Sequence, residues 1–442
     1  MIESRLRIAW FSDISLGRPE SLSTYCSRLL VPELAKYHSI EVFSDESNLV
    51  SSTSFFGAPL FHYLNAYKRH IAAPFDLFLY QLEDSRACRF IRGHIGLMPG
   101  VVWVHDLFCN DLGPEACHTS PWERTIRQFM DSSLEFSDRS KAPHQLWPRA
   151  FRETSLCPVV LFSSAWARNE FKRMVSNRLE AIDGTHYATV LPVPVAETGV
   201  KATSHDDTLQ IASVSVPGIE GRSHKVLPIL RGLPGEWHLT WLVDDAEREG
   251  ARALLNEFGI PEFRVSIIAP RSIEAWSQVV AQSDVALHLH TSPFGHLAPF
   301  IQRSLAAGCP VIAARSAQGE DFPNDVVFQI TPGVHESAEL RGIVSALLKS
   351  TAESRREYGA AGVAYVRENF GLERIATTLS NTLIENAPHV SHVMDRWQRI
   401  GQRAQRVLLE EVRGLVAPKS DIVSSAYDLV ITPALRDLGW LL

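Results

Sequence analysis

The sequence predicts an α/β protein built from two doubly wound, Rossmann-like parallel sheets that face each other across a cleft. Two observations carry this reading. Short apolar runs alternate with longer amphipathic segments along residues 1–197, and the same rhythm restarts at residue 208. Between them, 197–207 (ETGVKATSHDD) is polar and without periodicity, which marks a linker. Alternation of this kind is the pattern of β-α units, whose parallel strands are covered on both faces and so read as nearly continuous apolar stretches.

In the first half, RIAWF (7–11), IEVF (40–43), LFLY (77–80), VVWV (101–104) and VVLF (159–162) read as strands, with a first helix over 24–36. Residues 110–148 lack strong strand signals and are expected to hold helices and loops over the cleft. The second half gives LQIASV (209–214), HLTWLV (238–243), RVSII (264–268), VALHL (285–289), VIA (311–313) and VVFQI (326–330). The expected organisation is an N-terminal domain over 1–197, a second over 208–385, and a helical tail over 386–442.

At 442 residues the chain is long enough for each half to bury its own core. Its 45% hydrophobic and 21% charged content is that of a globular protein rather than a disordered one. Six cysteines without CxxC spacing support neither a zinc site nor a secreted disulfide framework. The opening MIESRLRIAWFSD lacks the regions of a secretory signal, and no apolar stretch reaches the roughly 20 residues that span a bilayer. The expected location is cytoplasmic, with any membrane contact peripheral, at the inner face. Lys+Arg 43 against Asp+Glu 50, a net charge of -7, argues against nucleic acid as a partner.

The most informative stretch is SDVALHLHTSPFGHLAPFIQRSLAAGCPVIAA, 283–314. It reads as a strand, a loop through Phe294, Gly295, His296 and Leu297, a helix near 298–307, and a close at Gly308 and Pro310 before the next strand. A loop glycine at a helix N-terminus lets backbone N–H groups approach a phosphate, and the helix dipole favours its charge. An ordinary strand-loop-helix without a ligand has the same spacing.

This segment resembles the C-terminal signature of the retaining glycosyltransferases of family 4, which have the GT-B fold. Ser283-Asp284-Val285 and Ala306-Ala307-Gly308-Cys309-Pro310-Val311-Ile312 carry the resemblance. So do Tyr80-Gln81-Leu82, Pro99-Gly100 leading through VVWV to His105-Asp106, the run from Leu161 to Ala167, Val190 to Pro194, and YVRENFGLERIATTLSNTL at 365–383. The resemblance implies that a nucleoside-diphosphate sugar, UDP- or GDP-linked, binds in the cleft as donor substrate. It implies a glycan or lipid-linked glycan as acceptor, and no separate cofactor or metal. His105 and Asp106, at a strand end, are then expected to meet the sugar or acceptor, the alternative being a satisfied histidine with a capping aspartate. Lys225 and Arg222, in PGIEGRSHKVL after the first strand of the second half, are expected to face the diphosphate, the alternative being a solvated loop. Cations there would stabilise a leaving group that gains charge as the glycosidic bond breaks.

Members of that family place two glutamates seven residues apart across the glycine loop and its helix, and this chain has His296 and Arg303 at those positions. Imidazole can donate to a sugar hydroxyl or approach a phosphate, but it supplies no permanent acceptor charge. His296 is therefore assigned to both catalysis and donor binding, and Arg303 to donor binding. Ser21 stands where a loop glycine is expected. The substitutions leave a second class of function open: a catalytically silent scaffold that binds a sugar nucleotide or a partner enzyme. In the tail, Trp397, Ile400, Ala404, Val407 and Leu408 share a helical face beside a basic strip of Arg396, Arg399, Arg403 and Arg406. Such a stripe suits either an anionic membrane surface or docking on the protein itself.

Overall fold

The computed structural model describes residues 5–14, 20–46, 54–107, 151–179, 187–196, 208–214, 217, 221–290 and 299–416. The strands are β1 (Arg7–Phe11), β2 (Ser39–Ser44), β3 (Ser54–Phe55), β4 (Ala58–His62), β5 (Leu77–Leu82), β6 (Val101–Val104), β7 (Val159–Phe162) and β8 (Tyr187–Val190) in the first half. The second half contributes β9 (Leu209–Val214), β10 (Trp237–Leu242), β11 (Val265–Ile268), β12 (Val285–His288), β13 (Val311–Ala314) and β14 (Val327–Ile330). They form two sheets, ordered β3-β4-β2-β1-β5-β6-β7-β8 and β11-β10-β9-β12-β13-β14. Every pairing is parallel except β3 with β4. The apolar runs follow from this arrangement: all six residues of β5 are buried because helices cover both faces.

The helices are α1 (Leu22–Ala35), α2 (Ala66–Ala72), α3 (Arg89–Leu97), α4 (Phe151–Leu156), α5 (Ala165–Leu179), α6 (Ser223–Arg231), α7 (Arg248–Glu257), α8 (Ile273–Ala281), α9 (Phe300–Ala306), α10 (Glu336–Lys349), α11 (Ala352–Phe370) and α12 (Leu372–Val416). None of the described helices is long and apolar enough to cross a membrane.

Two glycines explain the motifs they sit in. A side chain at Gly100, ahead of β6, would begin 2.2 Å from the Phe78 carbonyl oxygen, so Pro99-Gly100 permits β6 to enter flush against β5. Gly308 ends the turn after α9 at φ +70, and its carbonyl lies 1.9 Å from where a Cβ on Gly359 of α11 would stand. The second sheet's covering helix therefore crosses the AAGCP turn backbone to backbone. Gly359→Ala is expected to destabilise the protein by about 2 kcal/mol through overpacking. A melting temperature unchanged within error, by calorimetry, would contradict this contact.

One feature differs from the sequence-based organisation. Ile375, Ala376, Leu379 and Leu383, expected in the second domain, and Ala387, Val390 and Met394, expected in the tail, belong to the core beneath the first sheet. The chain crosses back at Gly371, where Val195 bridges it and the Val195 N–H donates to the Phe370 carbonyl at 2.8 Å. Apolar spacing reveals that α12 has a buried face but not which core receives it. The tail side chains from Gly401 onward, with Trp397 and Ile400, lie outside the described residues.

Candidate active site

The carboxyl ends of the strands in the first sheet bring together Ser12 and Asp13 after β1, Glu83 after β5, His105 and Asp106 after β6, and Ser163 and Ser164 after β7. Ligands of open parallel sheets bind beyond such ends. The sheet places His105 and Asp106 where the sequence expects them, yet His105 does not project freely into the crevice. It is 2% exposed, with Nε2 2.9 Å from Gln81 Oε1 and Nδ1 2.8 Å from Ser163 Oγ. Gln81 Nε2 donates to Ser27 Oγ at 2.5 Å and to the Ser23 carbonyl at 3.2 Å, leaving its oxygen as acceptor. His105 is therefore the neutral tautomer protonated on Nε2, accepting from Ser163 on Nδ1. Burial drives its pKa down to about 3, so it stays neutral across the physiological range. Its geometry is that of the satisfied histidine, the alternative that the sequence left open.

Asp106 is buried, and its Oδ2 accepts from the Asp84 N–H at 2.9 Å. It braces the neighbouring strand end. Beside it lies Glu83, which sequence reasoning missed. Glu83 accepts from the first N–H groups of α1, Leu22 at 3.2 Å and Ser23 at 3.0 Å, and from Ser23 Oγ at 2.9 Å. A carboxylate thus occupies the positive end of the α1 dipole. Burial, reinforced by the charge of Asp106, pushes the Glu83 pKa up to about 7, against the pull of the Ser23 and Leu22 donors. Ser21 Oγ accepts from Thr24 N at 3.1 Å as the helix cap, so its hydroxyl is engaged locally.

A carboxyl group with a raised folded pKa stabilises the fold fully below its unfolded value, and that contribution is lost as pH rises through the folded value. For Glu83 the window runs from about 4.5 to about 7. Glu83→Gln removes the charge and, like the protonated acid, keeps one carbonyl oxygen, which can serve the Ser23 donors but not the Leu22 N–H as well. It is expected to raise stability at pH 8 by about 2 kcal/mol and to leave pH 4 unchanged. Equal urea midpoints for the two proteins at pH 8 would remove the assignment.

On the second sheet, Arg222 and Lys225 open α6. Arg222 takes a left-handed conformation at φ +58, and its Nη1 lies 2.6 Å from Oε2 of Glu336, a residue 1% exposed at the start of α10. Arg222 is thereby committed to an internal ion pair. Lys225 is half-buried and has no ion pair among the described residues. The motif aspartate, Asp284, ties two strands together: placed just ahead of β12, its Oδ2 accepts from the N–H of Gln210 in β9 at 2.9 Å.

Phe294, Gly295, His296 and Leu297 lie outside the described residues. On either side of residues 291–298 in the sequence stand buried polar atoms without a partner among the described residues. Among the described residues, His288 at the end of β12 leaves Nδ1 unbonded, Gln302 leaves Oε1, and Arg303 leaves both Nε and Nη2. These residues are 8%, 1% and 2% exposed. Buried polar groups are nearly always paired, so each of these is an exception. His288 and Gln302 carry no signal in the sequence, because a histidine in a strand and a glutamine in a helix are ordinary core or surface residues.

The two halves meet at the amino ends of α1 and α8. Arg28 Nε donates to Glu20 Oε1 at 2.9 Å and its Nη2 pairs with Glu274, while Glu20 also accepts from Ile273 N at 3.2 Å. Burial opposes the Arg28 charge, but the two carboxylates outweigh it and raise its pKa. Across the same boundary the Arg303 guanidinium lies 4.1 Å over the Tyr25 ring. Trp166 N, opening α5, donates to Asp321 at 2.9 Å.

Two parallel sheets joined this way, with the last helix returned to the first, define the GT-B fold. Solved structures of similar architecture agree. Sucrose-phosphate synthase from Thermosynechococcus elongatus matches with a TM-score of 0.61 at 12% identity, covering 86% of this chain and 99% of that one. HepE of Anabaena, solved in complex with UDP and glucose, matches at 0.58 and 16% identity with the same coverage. WaaG, a glycosyltransferase involved in lipopolysaccharide biosynthesis, matches at 0.52 and 13% identity, covering 85% and 99%. No family model matches the sequence, and no curated protein sequence matches it either.

Proposed function

We propose that this chain is a glycosyltransferase that moves a hexose from a UDP- or GDP-sugar to a glycan or lipid-linked glycan, with retention of configuration and without a metal. The observation that supports it most is the GT-B fold shared with solved glycosyltransferases, together with the buried Arg303 of α9, whose Nε and Nη2 have no partner among the described residues. Lys225 and Arg303 supply positive charge for the departing diphosphate. His296 and the loop backbone at Phe294, Gly295 and Leu297 hold the donor, and Asp106 with Glu83 forms the carboxylate-bearing side that receives the acceptor hydroxyl. His105, through Gln81 and Ser163, positions the strand ends that carry them. The solved HepE complex contains UDP and glucose, which is consistent with a nucleotide-sugar donor in this fold.

The substituted glutamate positions and the internal commitment of His105 favour one other reading, a silent scaffold that binds the sugar nucleotide without turning it over. A thermal-shift screen of UDP-, GDP- and ADP-sugars followed by a sugar-release assay separates the two. Stabilisation with release over a panel of acceptors is expected; stabilisation with no release establishes the scaffold, and no stabilisation by any nucleotide defeats both. We place the protein in the cytoplasm, with the basic strip of α12 against the inner membrane face. Cosedimentation with vesicles containing anionic lipid, and its loss when Arg396, Arg399, Arg403 and Arg406 become Gln, tests that placement.

A further inference from the structure

Arg303 is a buried cation with an unusual pattern of engagement. Nη1 donates to Ser277 Oγ at 2.6 Å, and that hydroxyl is itself fixed by donating to the Ile273 carbonyl at 3.1 Å. One face of the guanidinium stacks on Tyr25, whose hydroxyl accepts from Ala196 N, just before the linker, at 3.3 Å. The carboxylates close enough to favour its charge, Glu274 and Glu20, are bonded to Arg28 instead. Nε and Nη2 have no partner among the described residues, although the residue is 2% exposed.

Those two nitrogens lie on the same edge of the guanidinium, the edge whose parallel N–H bonds match two oxygens of a carboxylate or phosphate. The third nitrogen and the ring face are held by neighbours, so the plane of the fork is fixed before any ligand arrives. A sugar hydroxyl would satisfy one donor; an oxyanion satisfies both. We propose that Arg303 is a preorganised bidentate recognition site for an oxyanion of the donor substrate, positioned by Ser277 and Tyr25. The oxyanion is either a phosphoryl group of the diphosphate or the carboxylate of an acidic sugar. This assignment rests on the nucleotide-sugar reading given above and names the charged group that the substituted motif position recognises.

Titration calorimetry decides it, using the nucleoside series that the wild-type chain binds: the monophosphate, the diphosphate, the neutral hexose diphosphate, and the uronate (UDP-glucuronate or GDP-mannuronate). Each is measured with wild type, Arg303→Met and Arg303→Lys; lysine keeps the charge but lacks the fork. If the fork takes a phosphoryl group, every diphosphate weakens about 10- to 100-fold in both variants and the monophosphate moves little. If it takes the carboxylate, the uronate alone weakens by that factor. Ser277→Ala keeps the guanidinium and frees Nη1, and it is expected to weaken the same ligands to a smaller degree, which preserves the test if Arg303→Met does not fold. Unchanged affinities in folded Arg303→Lys, with Lys225→Ala still weakening the diphosphate, would overturn the fork and leave the transferase reading standing. No binding of any nucleoside diphosphate to wild type would defeat that reading, and the fork with it.

Discussion

Lys225→Ala is expected to lower sugar transfer about 100-fold and to weaken nucleoside diphosphate binding about tenfold. The larger loss falls on transfer because the leaving diphosphate carries more charge in the transition state than in the bound donor, so a cation beside it acts chiefly there. The same substitution is expected to leave the melting temperature unchanged, since Lys225 is half-buried and holds no ion pair among the described residues. Unaltered diphosphate affinity in a folded Lys225→Ala protein would remove the lysine from the donor site.

Arg222→Ala is expected to do the reverse. Glu336 is 1% exposed and Arg222 19%, and their contact is 2.6 Å. Removing the arginine strands a buried carboxylate whose other oxygen, Oε1, already lacks a partner among the described residues. The expected cost is about 3 kcal/mol, which lowers the melting temperature by about 6–12 °C in a body of this size. Adding Glu336→Gln should recover most of that loss, because the neutral amide needs no counter-charge. Nucleotide affinity should hold in Arg222→Ala at temperatures where it is folded. A variant that melts like wild type but binds diphosphate weakly would return Arg222 to the donor site.

The contrast between these two residues shows what sequence could and could not convey. Both sit in one turn at the start of α6, and both are cations where the resemblance to family 4 asks for cations. Only the fold brings Glu336 from more than a hundred positions away to claim one of them. The strands were legible because parallel strands covered on both faces must be apolar throughout; β1, β6, β7 and β9 begin and end where the apolar runs do. The edge hairpin of β3 and β4 was not legible. Its two-residue turn uses Phe56 at φ 47 ahead of Gly57 at φ 88, and an aromatic residue in a left-handed conformation gives no turn signal. Glu83 was missed for a different reason: its importance comes from lying beside Asp106 and beneath the amino end of α1, a convergence of β5, β6 and α1. His105 was found but its surroundings were not, since the Gln81 and Ser163 partners come from the neighbouring strands on each side. Arg303 was found through motif position alone, and the unpaired edge that gives it a role is a property of packing.

The central claim is that a nucleoside diphosphate settles between the turn carrying Lys225 and the amino end of α9. Hydrogen–deuterium exchange with and without a saturating nucleoside diphosphate reads this directly, amide by amide. The expected result is protection concentrated in 221–226 and 299–303, and in the loop joining β12 to α9, with strands β2 and β4 unaffected. Protection confined to the first sheet, or none anywhere while the nucleotide is bound, would contradict it.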